Sequence, residues 1–314
     1  MRKVIGIGET ILDIIFKGDK PIEAVPGGST FNCMVSLGRA GVPATFISEI
    51  GADRVGDHVL RFIEQNGVDT SCINVYPGAK SPVSLAFLNE RNEASYAFYR
   101  EPPRDRTDFR MPDIQPDDIV VLGSFFALDP AIRPRVAELL SFARDRGAII
   151  YYDINFRPAH KTDAMRVTPN LLENLEFADI VRASSEDFST LYKNPEPDHV
   201  YKAEISFYCK RMICTRGADA TLLHSDGGLR KEYPTPPTDT VSTIGAGDNF
   251  NAGLVYGLLR EGVTRADLER GLSETVWDRL IASAQEFAAE CCKDIFNYVS
   301  QDFGNTKKAP FHRG

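Results

Sequence analysis

Ile119-Val120-Val121-Leu122 and Ala148-Ile149-Ile150-Tyr151-Tyr152, separated by a helical pattern over 130–146, decide the architecture of this chain. Both runs are continuous in β-branched, apolar or aromatic residues, the pattern of strands covered on two faces. Strands joined through a helix lie parallel, because antiparallel neighbours need only a short turn. The same alternation extends in both directions. Val4–Ile7, Thr45–Ile47, Ile180–Val181, Met212–Thr215 and Thr221–Leu223 read as further strands, and 30–40, 54–66, 185–193, 248–260 and 278–299 as helices. Right-handed crossovers between such elements predict an α/β fold, a doubly wound, mostly parallel sheet between helical layers. Sheets of this kind bind ligands beyond the carboxyl ends of their strands.

Two stretches break the alternation. Ile11–Phe16 leads through Lys17–Lys20 toward Val25, and Ser84–Leu88 pairs with Tyr96–Arg100 as a hairpin across Asn89–Ala94. With no helix beside either, they predict a small β lid inserted at about 12–27 and 82–108 of a single domain spanning 1–304. Pro234–Thr238 reads as a linker, and residues 305–314 as a polar tail.

Composition narrows the function. A net charge of −8 over 314 residues argues against a nucleic-acid partner, which would call for a basic stripe. The six cysteines form no CxxC pair and read as buried thiols of a reducing cytosol; the five histidines form no HExxH. Glu9 and Asp13 interrupt the first apolar stretch, so no signal-peptide core is present. The most apolar run, Ile119–Leu128, is ten residues long, well short of a membrane span. A cytoplasmic enzyme or binding protein acting on small molecules is expected. Gly6-Ile7-Gly8-Glu9-Thr10-Ile11 lacks the third glycine of a dinucleotide fingerprint, and no GxxxxGK[ST] loop occurs. Any phosphate bound by this chain must be held in another way.

Thr243-Ile244-Gly245-Ala246-Gly247-Asp248-Asn249-Phe250 supplies one. Two glycines around a small residue let the backbone turn tightly and approach a ligand. A helix follows, with Phe250, Leu254 and Leu258 on one face. Its unpaired first-turn N–H groups and positive dipole end make an anion site. Asp248, in that first turn, reads either as a carboxylate placed by the dipole or as a general base beside a phosphate cradle. Phosphoryl transfer requires the second arrangement.

At this segment the chain resembles the ribokinase-like (PfkB) carbohydrate kinases, whose signature contains a Gly-Ala-Gly-Asp turn. The likeness covers nearly the whole chain: Gly8-x-x-x-x-Asp13, Gly27-Gly28-x-x-x-Asn32, Gly51-x-Asp53-x-x-Gly56, Asp153-x-Asn155-x-Arg157, Ser184-x-Glu186 and Thr215-x-Gly217 follow in order. The resemblance implies a three-layer α/β/α fold with a β-sheet lid, and ATP-dependent phosphorylation of a sugar hydroxyl. It makes Asp248 the base and Gly245, Ala246 and Gly247 the anion hole. Asp13, Gly27, Gly28 and Asn32 would hold sugar hydroxyls. Ser184, Glu186, Thr215, Gly217 and Ala288 would line the nucleotide site, with Mg²⁺ near Glu186 through water. On the residues alone, Asp13 reads as a turn residue, Asn32 as a helix-surface amide, Glu186 as a first-turn acid and Ala288 as helix packing.

Strand alternation sets Phe98 and Arg100 on one face of the lid, and Arg157 beyond a strand end. These segments look like those of fructokinases and 2-keto-3-deoxygluconate kinases. Arg100 and Arg157 could bind a carboxylate bidentately, or act on phosphates, hydroxyls or lid closure. Fructose is the expected acceptor; the keto acid, a nucleoside, or sugar binding without catalysis are the alternatives. Ser242 stands where the family has an aspartate of its monovalent-cation site, with Asp239 nearby, so potassium activation is not expected. An exposed lid sheet also offers a surface for a homodimer.

Overall fold

The computed structural model describes residues 2–88, 94–101, 103 and 109–308. In chain order the strands are β1 Val4–Ile7, β2 Ile11–Lys17, β3 Lys20–Gly27, β4 Ala44–Gly51, β5 Val68–Asp69, β6 Ile73–Tyr76, β7 Val83–Leu88, β8 Ala94–Tyr99, β9 Ile119–Gly123, β10 Ile149–Asp153, β11 Ile180–Ser184, β12 Met212–Thr215, β13 Ala220–His224 and β14 Arg230–Pro234. The α-helices are α1 Ser29–Arg39, α2 Arg54–Gln65, α3 Arg133–Asp145, α4 Ala164–Phe177, α5 Ser185–Tyr192, α6 Pro197–Val200, α7 Ala246–Arg260, α8 Arg265–Arg270, α9 Glu274–Cys291 and α10 Gln301–Lys307.

A ten-stranded sheet runs β14-β13-β12-β11-β10-β9-β1-β4-β5, with β6 paired to the far end of β4. Its pairs are parallel from β12 across to β5 and antiparallel only at β12–β13 and β13–β14. Alternation along each central strand feeds two cores. Ile119 and Val121 of β9 and Ile149 and Tyr151 of β10 pack with Phe31, Phe250, Trp277 and Phe287 under α1, α7 and α9. Val120, Leu122, Ile150 and Tyr152 pack the other way, with Leu139, Leu171 and Phe188 under α3, α4 and α5. This is the expected three-layer α/β/α arrangement.

The separate four-stranded sheet has order β3-β2-β7-β8, with β2 parallel to β7 and both outer pairs antiparallel. The hairpin of β7 and β8 sets Ser84 opposite Phe98. Residues 89–93, 102 and 104–108 of the expected lid segment lie outside the described residues.

Three expectations need correction. The helix expected over 278–299 is Glu274–Cys291. The amides of Val241 and Ser242 donate to the Cys292 carbonyl, and the chain then turns to bring Asn297 to the anion turn. Residues 305–307 of the expected polar tail are helical, because α10 carries the chain to Lys307. Lys307 Nζ meets Glu286 at 2.6 Å, and Gly304 packs on the Arg39 backbone. Residues 309–314 lie outside the described residues. The linker expected at Pro234–Thr238 begins one residue on, since Pro234 closes β14. Among the described residues no helix is long and apolar enough to cross a membrane.

Candidate active site

The anion turn leads directly into α7. Gly245 is the N-cap with φ 79° and ψ −5°, and a Cβ there would stand 2.7 Å from the Asn297 carbonyl oxygen. A Cβ at Gly247 would meet the Arg182 guanidinium at 2.9–3.3 Å. Gly245 is therefore required both by its approach to backbone and by its left-handed conformation, whereas a Cβ at Gly247 would press on the Arg182 guanidinium. Asn249 fixes the turn from behind. Its Nδ2 donates to the carbonyls of Gly245 and Asn297, each at 2.8 Å, and its Oδ1 accepts from Ser36 Oγ at 2.6 Å. Ser242, 6% exposed, accepts from the Ile244 amide at 3.2 Å, so its hydroxyl does the turn-closing work open to a short polar side chain.

Asp248 lies in the first turn of α7, 3% exposed, and its Oδ2 accepts from Asn32 Nδ2 at 2.8 Å. Burial raises its pKa to about 6, against the opposing pull of Arg157 and the Asn32 hydrogen bond; Asp153 pushes it up further. Asn32 Oδ1 is buried and has no hydrogen-bond partner among the described residues. Asp13, on lid strand β2, is 8% exposed and accepts from Ser84 Oγ on β7. Burial raises it to about 6 as well, against that hydrogen bond. Gly27, at the end of β3, lies between the two groups: a Cβ there would be 2.9 Å from Asp13 Oδ2 and 3.6 Å from Asn32 Oδ1. Gly28 caps α1 beside it. Asp13, Gly27, Gly28, Asn32 and Asp248, scattered over the sequence, thus form one polar cluster beside the turn.

Asp153 anchors the next layer. Its Oδ1 meets Arg182 Nη1 at 3.1 Å, and its Oδ2 accepts from Asn251 at 2.8 Å and from Asn155 at 3.3 Å. Arg182 Nη2 donates to Thr215 Oγ1 at 2.6 Å, and Asn155 Nδ2 to Ser29 Oγ at 3.0 Å. The ends of β10, β11 and β12 are so tied to the starts of α1 and α7. Arg182 and Asn251 were missed by the sequence reading. The signal was there for Arg182, a lone cation inside the apolar run Ile180-Val181-Arg182-Ala183. Such a residue is buried only when paired.

The nucleotide-side residues are less drawn together. Thr215 joins the network through Arg182. Ser184 caps α5 in a capping box with Asp187, which commits its hydroxyl, and Glu186 is exposed in the first turn. Gly217 is exposed with φ 58°, and Ala288 is half-buried on α9. The hydrogen bonds and ion pairs that tie the cluster together do not extend to Glu186, Gly217 or Ala288 among the described residues.

Between lid and sheet lies a cleft of about 240 Å³ whose walls include Glu9, Thr10, Lys80, Arg100 and Phe125. Arg100 Nη1 meets Glu9 at 3.4 Å, and its guanidinium lies 5.7 Å from the Phe125 ring centre. Phe98 is 51% exposed on the lid, and Arg157 is exposed past β10 while still acting electrostatically on Asp248. A carboxylate raised to about 6, beside backbone N–H donors and polar side chains, can deprotonate an alcohol while anionic oxygens are held.

Comparison with known proteins gives the family of the chain. A fructokinase of Rhizobium leguminosarum bv. trifolii is 28% identical over 261 residues, 80% of this chain and 78% of its own. A 5-dehydro-2-deoxygluconokinase of Geobacillus kaustophilus is 25% identical over 289 residues, 88% of this chain and 82% of its own. Among solved structures, Vibrio cholerae fructokinase in its fructose, ADP and calcium ion bound form superposes with a TM-score of 0.84 at 18% identity, covering 98% of this chain and 99% of that one. Residues 1–292 match the pfkB family carbohydrate kinases, and it is to that family that this chain belongs.

Proposed function

We propose that this protein transfers the terminal phosphoryl group of ATP to a hydroxyl of a hexose, with fructose the preferred acceptor. One observation carries the reading: the first turn of α7 holds an anion-ready backbone turn and a buried carboxylate at once. Asp248 takes the hydroxyl proton, and Asn32 holds its carboxylate in place. Asp13 and the unpaired Asn32 Oδ1 accept hydrogen bonds from sugar hydroxyls. The amides of Gly245 and Gly247 receive the charge that develops on the phosphoryl oxygens, while the Ala246 amide, expected to share that task, donates instead to the Thr243 carbonyl at 3.2 Å; the lid shields the reaction from water.

Mg²⁺ keeps most of its waters and takes phosphate oxygens as ligands, so a single exposed carboxylate such as Glu186 suits it through water. When bound, ATP with Mg²⁺ supplies the phosphoryl group and screens its charge. Support for ATP comes also from Xylella fastidiosa fructokinase, solved with bound ATP, whose fold matches at a TM-score of 0.80 and 22% identity. The six unpaired cysteines suit a reducing cytoplasm. Ile22, Phe87 and Tyr99, exposed on the lid, suit pairing of two lids in a homodimer. Sedimentation as a monomer at micromolar concentration would remove that last element.

The test of the function is a screen of ATP consumption and thermal shift with fructose, other hexoses, ribose, nucleosides, 2-keto-3-deoxygluconate and 5-dehydro-2-deoxygluconate. Sugar-dependent ATP consumption is expected, strongest with fructose; its absence with every acceptor sinks the reading.

A keto-acid acceptor is the second reading, favoured by Lys80 and Arg100 on the cleft wall. Arg100 already meets Glu9, however, which leaves it less charge to offer a substrate carboxylate. Arg100→Ala is accordingly expected to change KM for fructose and for the keto acids by similar factors, within about threefold. A loss of about tenfold or more confined to the acids, the size of a charge-assisted hydrogen bond, would move the assignment to the acid.

A further inference from the structure

Ser124 follows the last residue of β9 with φ 57° and ψ −171°. Glycine occupies that region readily and residues with a Cβ avoid it. Lys193, another non-glycine residue with positive φ, sits at ψ 24° in the ordinary left-handed basin of a helix end, so Ser124 is the more strained of the two. Its hydroxyl adds a second cost. Ser124 is 6% exposed, and its Oγ is buried with no hydrogen-bond partner among the described residues.

Both costs fall one residue from the cleft wall, which Phe125 and Phe126 line and Ser124 does not. The Ser124 amide donates to the Asp153 carbonyl at 3.3 Å. The next residue, Phe125, lines the cleft under Arg100 and stacks on His160 at 4.2 Å between ring centres. On the adjacent strand end, Asn155 also has positive φ, 40°, and reaches Ser29 at the start of α1. Glycine at 124 would relieve the backbone, and alanine would spare the unpaired hydroxyl. A serine that does neither has work for its oxygen.

We infer that Ser124 is a specificity-determining residue whose Oγ hydrogen-bonds a hydroxyl of the acceptor sugar. The inference rests on the kinase reading above and adds a substrate contact to it. The bond replaces water around the incoming hydroxyl and satisfies an oxygen that is otherwise stranded.

Full-length wild type, Ser124→Ala and Ser124→Gly are compared by initial rates at saturating ATP with D-fructose, or with 5-dehydro-2-deoxygluconate if fructose is not turned over. Unfolding midpoints are measured without sugar. Both variants should raise KM for the sugar roughly three- to tenfold, the worth of one neutral hydrogen bond, with kcat and KM for ATP within about twofold. Ser124→Gly should melt about 2–4 °C above Ser124→Ala, because only glycine releases the strain. A purely structural serine would move the midpoints and leave the sugar KM alone. An unchanged sugar KM in Ser124→Ala overturns the contact, and a lower midpoint for glycine than for alanine overturns the strain argument. Wild type without sugar-dependent turnover removes the kinase reading itself, an outcome distinct from either.

Discussion

Asp248→Asn is expected to lower kcat by about 10²–10⁴ with little change in sugar binding, the usual worth of a positioned general base. Asparagine can still accept from Asn32 Nδ2, so the local geometry survives while proton-accepting ability is lost. The pH dependence gives a second readout. With Asp248 near 6, wild-type kcat/KM should fall as pH drops below about 6, and the variant should lose the part of that limb that Asp248 supplies. Stability moves the other way. Folding raises this carboxyl from 3.8 to about 6, so folding favours its protonated form. The associated stability is fully present below pH 3.8 and is lost as pH rises through about 6. The amide of Asp248→Asn never has to ionise, so the variant should be more stable than wild type at pH 8, by at most about 3 kcal/mol, and equal to it near pH 3. Undiminished turnover in Asp248→Asn would remove Asp248 from the mechanism. A stability gain that is flat with pH would deny that its charge is what burial opposes.

Gly245→Ala should be the other severe change. The backbone there is left-handed, φ 79°, and the added methyl would stand 2.7 Å from the Asn297 carbonyl, a backbone atom with little freedom to retreat. Opening the turn misaligns the N–H donors, and loss of one oxyanion donor alone is worth about 10²–10³ in rate. A fall of that order in kcat is expected, with weaker ATP binding and a midpoint lowered by several degrees. Gly262 supplies the control just past the other end of α7: its φ is 65° but a Cβ there meets open space. Gly262→Ala should show the backbone penalty and keep its turnover. Equal activity losses in the two variants would mean that the turn acts only through overall stability.

The parts of the site legible in the sequence were those whose chemistry is local. Two glycines and an aspartate inside four residues specify a tight turn, an anion end and a carboxylate whatever surrounds them, and they stand so in the fold. The strands of the central sheet were legible because burial on both faces writes an unbroken apolar run. Helix α4 was not. Pro169 sits within it and reads as a breaker, yet the apolar face of Val167, Leu171 and Leu175 still buries against the sheet. The two-residue β5 and the edge strand β14, alternating exposed and half-buried, carried too little pattern to stand out. What Arg182, Asn251 and Asn297 bind was illegible for another reason. Their partners lie 29, 98 and 48 residues away, and only tertiary folding reveals that Asp153 and Asn249 need them.

Asp13 belongs to the lid: it sits on β2, hydrogen-bonded to β7, while its neighbours in the cluster sit on α1 and α7. On the proposed role of Asp13, any swing of the small sheet away from those helices withdraws one of the acceptor's ligands. Cover and recognition are then a single equilibrium, and a substitution that only shifts the small sheet, remote from any hydroxyl, would present itself at the bench as a poorer grip on the sugar.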